Sequence, residues 1–363
     1  MKQALKRACT DALAISSANT ENSSLYTVET AIKVLEDDGN LNAGYGSNLT
    51  LDGTVECDSA VIHSPSNIKH GVEAFFGSVG AISGIKNPIS AARAVLEHSK
   101  VKDTLGRVPP LTLVSSGAHT FATARGVESV DPSTLITPSA RSQWEKWKAR
   151  LDSTDEPSGS LLRDEEEEGL TDVQDTVGAV AFHTDDGFAG GVSSGGVLLK
   201  YPGRVGERLS AQGVGLPSLE IRTVLEWKEC LAVSPVGQPP LMLIELREAE
   251  CSRIGEALRP STSDEDEKDP HDILNRLLVE FWEMARRRGE ESPSVGAIVL
   301  TAEVDGDGGT SVRLWCAFTT ASMAIGYAST GNPKARAVIF RHPNPHRERG
   351  EDRPQIFITS LSL

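Results

Sequence analysis

The sequence predicts an α+β fold with strands at the centre and helices outside. Three observations carry it. Apolar residues recur at helical spacing in three separate stretches, residues 4–13, 28–35 and 273–285. Between the first two and the third lie short apolar runs joined by turn residues. The clearest is 177–182, which an Asp186-Gly187 turn joins to a small-residue run ending in Ser193-Ser194-Gly195-Gly196. Residues 295–302 and 312–318 read as a second pair of strands. Helices with one apolar stripe bury it by covering a sheet.

The bulk properties narrow the function. A chain of 363 residues has ample length to bury a core. With 51 acidic against 36 basic residues and a net charge of −15, it argues against a broad phosphate-binding surface, so no nucleic-acid partner is expected. No apolar run approaches the length of a membrane helix, and the opening lacks an apolar stretch followed by a cleavage site, so neither membrane nor secretion is expected. Cys9, Cys57, Cys230, Cys251 and Cys316 are odd in number and widely spaced, which fits neither a disulfide framework nor a zinc site. They read as reduced thiols of an intracellular protein, cytoplasmic or nuclear. No metal and no cofactor is expected.

Taken in order, Ala4, Leu5, Ala8, Cys9, Ala12 and Leu13 make an opening amphipathic helix, and Val28, Ala31, Ile32 and Leu35 a second. A Gly- and Asn-rich stretch, 41–49, and an Asp52-Gly53 turn lead into a strand at 55–62. Within it, Glu56, Cys57 and Asp58 are a poor chelate, because adjacent strand residues point to opposite faces, and Cys57 reads as core. Asn87-Pro88 starts a helix whose buried stripe is Ile89, Ala92 and Leu96. A turn-rich run at 106–110 precedes a strand at 111–115. The basic residues 144–150 fit a short solvated helix, and more weakly an importin-binding run. Residues 152–175 read as a flexible acidic linker. Beyond the central hairpin, 219–231 reads as a helix and the Pro-rich, acidic stretch 233–270 as a surface insertion. The stretch from Asn332 onward is polar and is assigned no element.

The linker ends at Asp175-Thr176, so a threonine hydroxyl opens the central strand directly after a flexible segment. Threonine becomes a nucleophile when a base takes its proton, and its own free α-amine is one such base. That amine appears only if the preceding bond is cut. Thr176 would attack the Asp175 carbonyl, form an ester by an N-to-O shift, and release the new N-terminus on hydrolysis. The plain alternative is a β-branched residue starting a strand.

Three motifs in order, 175–180 (DTVGAV), 192–196 (VSSGG) and 200–206 (KYPGRVG), resemble the asparaginase-2 family of threonine-type Ntn hydrolases, and within it the threonine aspartase (taspase) branch. The NAG-x-GS segment at 42–47, the ECD strand at 56–58, the GRVPP run and residues 318–323 agree with it. The resemblance implies a four-layer αββα sandwich as one domain over 1–363, cleaved between Asp175 and Thr176 into an α subunit, 1–175, and a β subunit, 176–363. It also implies an αβ heterodimer that pairs into a dimer of heterodimers. The family's sheet begins with a strand bearing a Gly-rich turn; this chain opens at the first helix, so the expected sandwich lacks its first strand.

The resemblance also assigns roles. Thr176 would be the nucleophile, with Asn42 and Ser194 assisting the oxyanion and the amine. Arg204 would hold a substrate carboxylate, Glu207 would bind a substrate amine or pair with Arg204, and the 210–215 loop, with Gly213, would complete the pocket. The implied activity is a threonine endopeptidase that cuts itself and protein or peptide substrates after aspartate. Alternatives are hydrolysis of L-asparagine or isoaspartyl dipeptides by the same machinery, and an uncleaved, inactive relative that acts by binding.

Overall fold

The computed structural model describes residues 1–16, 23–65, 74–153, 176–183, 186–206, 230–237, 241–243, 269–287, 294–304, 310–342 and 354–363. Helices α1 (Lys2–Ser16) and α2 (Ser23–Glu36) open the chain as their periodicity predicts. Strands β1 (Cys57–Ser64) and β2 (Phe75–Ile82) follow, then α3 (Pro88–Ser99), β3 (Thr112–Val114), α4 (Ser115–Thr123) and α5 (Pro138–Ser153). The central hairpin is β4 (Thr176–His183) and β5 (Gly187–Ser194). After it come β6 (Cys230–Gly237), β7 (Leu241–Leu243), α6 (Pro270–Arg287), β8 (Ser294–Val304), β9 (Thr310–Phe318), β10 (Ser322–Ser329), β11 (Asn332–Arg341) and β12 (Phe357–Ser362).

The strands form two mixed sheets. One has eight strands in the order β11-β10-β6-β4-β5-β1-β2-β3, the other four in the order β12-β9-β8-β7. Pairing is antiparallel except between β2 and β3 and between β7 and β8. Strand β4 therefore has hydrogen-bonded neighbours on both sides, β5 and β6.

Side-chain alternation decides what each face meets. Val177, Ala179 and Ala181 of β4, with Val61 of β1 and Val79 of β2, pack in one buried cluster with Leu5, Ala8, Val28, Ile32, Ile89 and Leu96 from α1, α2 and α3. Val180, one residue out of phase, packs instead with Leu314, Phe318, Met323 and Ile325 of β9 and β10. The amphipathic stripe of α6, Ile273, Leu274, Leu277, Leu278, Phe281 and Ala285, packs on Val295 of β8 and Ala317 of β9. Each fully buried Leu or Ile in these clusters contributes about 1.5–3 kcal/mol relative to exposure.

Four readings of the sequence are corrected, each where described residues overlap it. The helix expected at 219–231 and the insertion expected at 233–270 give way at 230–237, which is β6, paired to both β4 and β10. Pro235 disguised it, since proline is rare inside a sheet. The ladder to β10 accommodates it: the register runs through Met323↔Val236 and resumes at Gly326↔Val233, passing over the position without an N–H. The strand expected at 111–115 ends at Val114, and Ser115 starts α4. The polar stretch from Asn332 forms β11, whose exposed Lys334 and Arg341 suit an outermost strand. The linker 154–175, residues 219–229, and 238–240 and 244–268 of the expected insertion lie outside the described residues.

Candidate active site

Thr176 is the first residue of β4 and is 1% exposed. Because Val177 faces the helices, Thr176 faces the opposite side of the sheet, and its Oγ1 donates to Ser194 Oγ, 3.0 Å away at the end of β5. Ser194 Oγ also accepts from the backbone N–H of Gly196 at 3.0 Å. On the far side of β5, Asp58 of β1 stands directly opposite Ser194. Cross-strand partners share a face, so Thr176, Ser194 and Asp58 form a polar row across three adjacent strands.

The turn before β1 locks this row in place. Asn42 Nδ2 and Asn48 Nδ2 both donate to the Gly196 carbonyl, at 2.8 and 2.9 Å, and Asn42 Oδ1 accepts from Asn48 N–H at 2.9 Å. Gly195 N–H donates to the Asn42 carbonyl at 2.8 Å. Gly196 thus links Asn42 to Ser194, its N–H serving one and its carbonyl the other. The two glycines are required by the approach. A Cβ on Gly195 would lie 2.3 Å from Asn42 Oδ1 and 2.5 Å from Ser47 Cβ, while Gly196 has φ +71°.

From Gly196 the chain runs to an arm at 199–206. Leu199 N–H donates to Leu49 O and Leu51 N–H to Lys200 O, both at 2.9 Å. The buried Lys200 Nζ donates to the Glu56 carbonyl at 2.6 Å, and Glu56 Oε2 accepts from Gly203 N–H at 2.7 Å. Asp58 Oδ2 accepts from Gly206 N–H at 2.8 Å. Arg204 lies between these two anchors, half-buried, and its guanidinium pairs with no carboxylate among the described residues.

Beneath the row, Cys57 points away from Glu56 and Asp58 into the core, where burial pushes its thiol up to about 11, with Ser47 Oγ 3.2 Å from its sulfur. Cys9 and Cys316 are likewise free and buried, each thiol pushed up to about 12 by burial. Such thiols are poor nucleophiles. Among the described residues no group of three or more His, Cys, Asp or Glu side chains could hold a metal ion, and no helix is long and apolar enough to cross a membrane.

The structure therefore brings Thr176, Ser194 and Asn42 together through Gly196 and places Arg204 on the arm. Asp175, Glu207 and Gly213 lie outside the described residues. Sequence reasoning missed Ser47, Asn48, Glu56, Asp58 and Lys200 as parts of the site. The signal for Glu56 and Asp58 was present: residues two apart on a strand share a face, and both carboxylates take backbone N–H groups of the same arm.

A family model described as asparaginase matches residues 1–211. The chain is 40% identical to a plant-type L-asparaginase of Pyrococcus abyssi over 191 residues, which cover 52% of this chain and 55% of the relative. It is 34% identical to an isoaspartyl peptidase/L-asparaginase of Bos taurus and to an isoaspartyl peptidase of Escherichia coli, each over 185 residues that cover 51% of both chains. The chain spans about half the length of these relatives. With the family model covering more than half of its residues, from α1 past β4 and the arm, the chain belongs to the asparaginase-2 family of Ntn hydrolases.

Proposed function

We propose that this chain is a threonine hydrolase acting on the side-chain amide of L-asparagine or the β-linked peptide bond of isoaspartyl dipeptides, after cutting itself before Thr176. The observation that carries the reading is the Thr176 Oγ1 to Ser194 Oγ hydrogen bond at the first residue of a doubly flanked strand. The substrate class follows from the relatives, whose names are L-asparaginase and isoaspartyl peptidase. That balance differs from the endopeptidase expected from sequence. The features that favoured the endopeptidase were the ECD strand at 56–58 and residues 318–323; residues 318–323 make no hydrogen bond to the Thr176 network among the described residues, whereas Asp58 of the ECD strand stands opposite Ser194. An endopeptidase is kept as an outcome of the test.

In this reading the α-amine freed at Thr176 takes the proton from Oγ1, and the oxygen attacks the substrate carbonyl carbon. Ser194 Oγ already accepts two hydrogen bonds, so its own hydrogen can turn toward the developing oxyanion. The C–N bond breaks, the proton returns to the leaving nitrogen, and water hydrolyses the Thr176 ester. Arg204 holds the substrate carboxylate as a bidentate partner, with Glu207 and Gly213 completing the pocket. Asn42, whose Oδ1 and Nδ2 both serve the turn, acts chiefly by holding Gly195 and Gly196. We read the fold as a four-layer sandwich: α1–α3, the eight-stranded sheet, the four-stranded sheet, α6.

The test is intact mass and N-terminal sequencing of the chain beside Thr176→Ala, followed by assays on L-asparagine, a β-aspartyl dipeptide and an α-linked aspartyl peptide. A fragment starting at Thr176 in the wild type alone, with turnover of either of the first two, is the expected result. Turnover of the α-linked peptide alone would replace the reading by an endopeptidase. A single uncleaved chain in both samples would sink it.

A further inference from the structure

Asp58 is completely buried, yet it sits where two irregularities of the sheet converge. Between the pairs Cys57↔Ile82 and Ser59↔Val79, two residues of β2, Gly80 and Ala81, face the single Asp58. This is a β-bulge, a feature that re-aims side chains and recurs beside active sites. Ala81 also has φ +45°, a conformation that costs a non-glycine residue of order 1–3 kcal/mol and persists where surrounding contacts enforce it. The enforcing contact is Asp58 Oδ1, which accepts the Ala81 N–H at 2.8 Å. The other oxygen, Oδ2, accepts the Gly206 N–H at 2.8 Å.

We propose that Asp58 is a positioning residue that fixes the arm bearing Arg204 against the row of Ser194 and Thr176, and so sets where a substrate carboxylate is held relative to the nucleophile. The inference rests on the hydrolase reading above for the roles of Arg204 and Thr176. Asp58 is opposite Ser194 in the sheet and bonded to Gly206 two residues beyond Arg204, so one side chain spans the reacting row and the binding arm. Glu56 makes the second anchor one residue before Arg204 through Gly203 N–H. Hydrogen bonds from backbone N–H groups to a carboxylate are about twice as strong as neutral ones. Two such anchors, three residues apart, leave the Arg204 backbone little freedom. Asp58 itself is no acid or base for the reaction, because it is buried and both its oxygens are engaged.

The test compares L-asparagine with 3-aminopropanamide, the same molecule without its α-carboxylate, on the full chain and on Asp58→Asn. Asparagine keeps only one carbonyl acceptor and turns an NH2 toward one of the two N–H groups. The expected result is a fall of about 10-fold in kcat/KM for L-asparagine, carried by KM, and less than 2-fold for 3-aminopropanamide. Hydrogen exchange at Gly206 should speed up about 10-fold in the same variant. Glu56→Ala, at a less buried position, repeats the comparison if Asp58→Asn fails to fold, with a KM rise of about 3-fold. Equal losses on both substrates, a loss in kcat alone, or unchanged exchange at Gly206 would overturn the inference. A wild-type chain inert on both substrates overturns the hydrolase reading instead, and exchange at Gly206 then decides the anchoring alone.

Discussion

Thr176 and Ser194 close the open end of the β4–β5 hairpin through a hydroxyl-to-hydroxyl bond of 3.0 Å, and both are buried. Among the described residues neither hydroxyl is held by a side-chain base, which fits the proposed nucleophile that supplies its own amine. Replacing Ser194 with alanine removes the acceptor for both Thr176 Oγ1 and Gly196 N–H. Self-cleavage and turnover should each slow by about 10²–10³, the loss typical of one oxyanion donor. The unpaired Gly196 N–H costs about 1–3 kcal/mol of stability. Time courses of fragment release by mass, with thermal melts as control, check both. Full activity in Ser194→Ala would remove Ser194 from the mechanism.

Gly195→Ala tests the other side of the same network. The new methyl would meet Asn42 Oδ1 at 2.3 Å and Ser47 Cβ at 2.5 Å; Asn42 cannot retreat without breaking its bonds to Gly196 and Asn48, and Ser47 is held by its hydroxyl's bond to the Gly44 carbonyl. Overpacking of this kind costs about 1–3 kcal/mol. Denaturant unfolding should show that loss together with slowed self-cleavage. A variant as stable and as quickly cleaved as the wild type would mean that the turn is looser than its hydrogen bonds indicate.

Much of this was legible in the sequence because it rests on periodicity and turn chemistry. The stripes of α1, α2, α3 and α6 announce themselves, as does the Asp186-Gly187 hairpin that puts Thr176 beside Ser194. What stayed hidden depends on pairings far apart in the chain. Pro235 masked β6 because a proline reads as a break until the ladder that passes over it is seen. Asp58 was dismissed as one of three residues of a poor chelate; its partners are backbone N–H groups of Ala81 and Gly206, 23 and 148 residues away. Backbone donors leave no mark in residue identity.

Asp186 ties the opposite end of the same hairpin to its surroundings. Its carboxylate accepts from Ser24 N–H and Ser24 Oγ and pairs with His63 Nε2 at 3.1 Å. Burial alone would raise its pKa, but the hydrogen bond and charge of His63 and the Ser24 donors outweigh it and hold the carboxyl at about 2. A depressed folded pKa contributes stability above the unfolded value, near 4, and that stability is lost as pH falls through about 2. Asp186→Asn should therefore cost on the order of 2 kcal/mol at pH 7 and progressively less below pH 4. Urea titrations at pH 7 and pH 3 compare the two, and an equal cost at both would assign the effect to packing.

Glu36 gives the opposite sign. Its side chain is fully buried at the end of α2, where Oε1 accepts from Ile89 N–H at the start of α3 and Oε2 has no partner among the described residues. Burial outweighs the opposing pull of the Ser193 hydroxyl, the Ile89 N–H and the Asn87 amide nearby and, with the charge of Asp37, pushes the carboxyl up to about 8, so it is protonated at neutral pH. Below about pH 4.5 the folded and unfolded chains both carry the proton and the group is neutral in its effect. As pH rises toward 8 the unfolded chain ionises Glu36 freely while the folded chain resists, so stability falls across that window and levels off above it. Each unit of difference is worth about 1.4 kcal/mol, which makes the total several kcal/mol. Glutamine keeps an acceptor for Ile89 N–H and does not titrate. Glu36→Gln should thus match the wild type near pH 5 and exceed it in stability at pH 8. Denaturant midpoints at the two pH values read this directly, and parallel pH profiles for the two proteins would show that Glu36 is ionised in the fold.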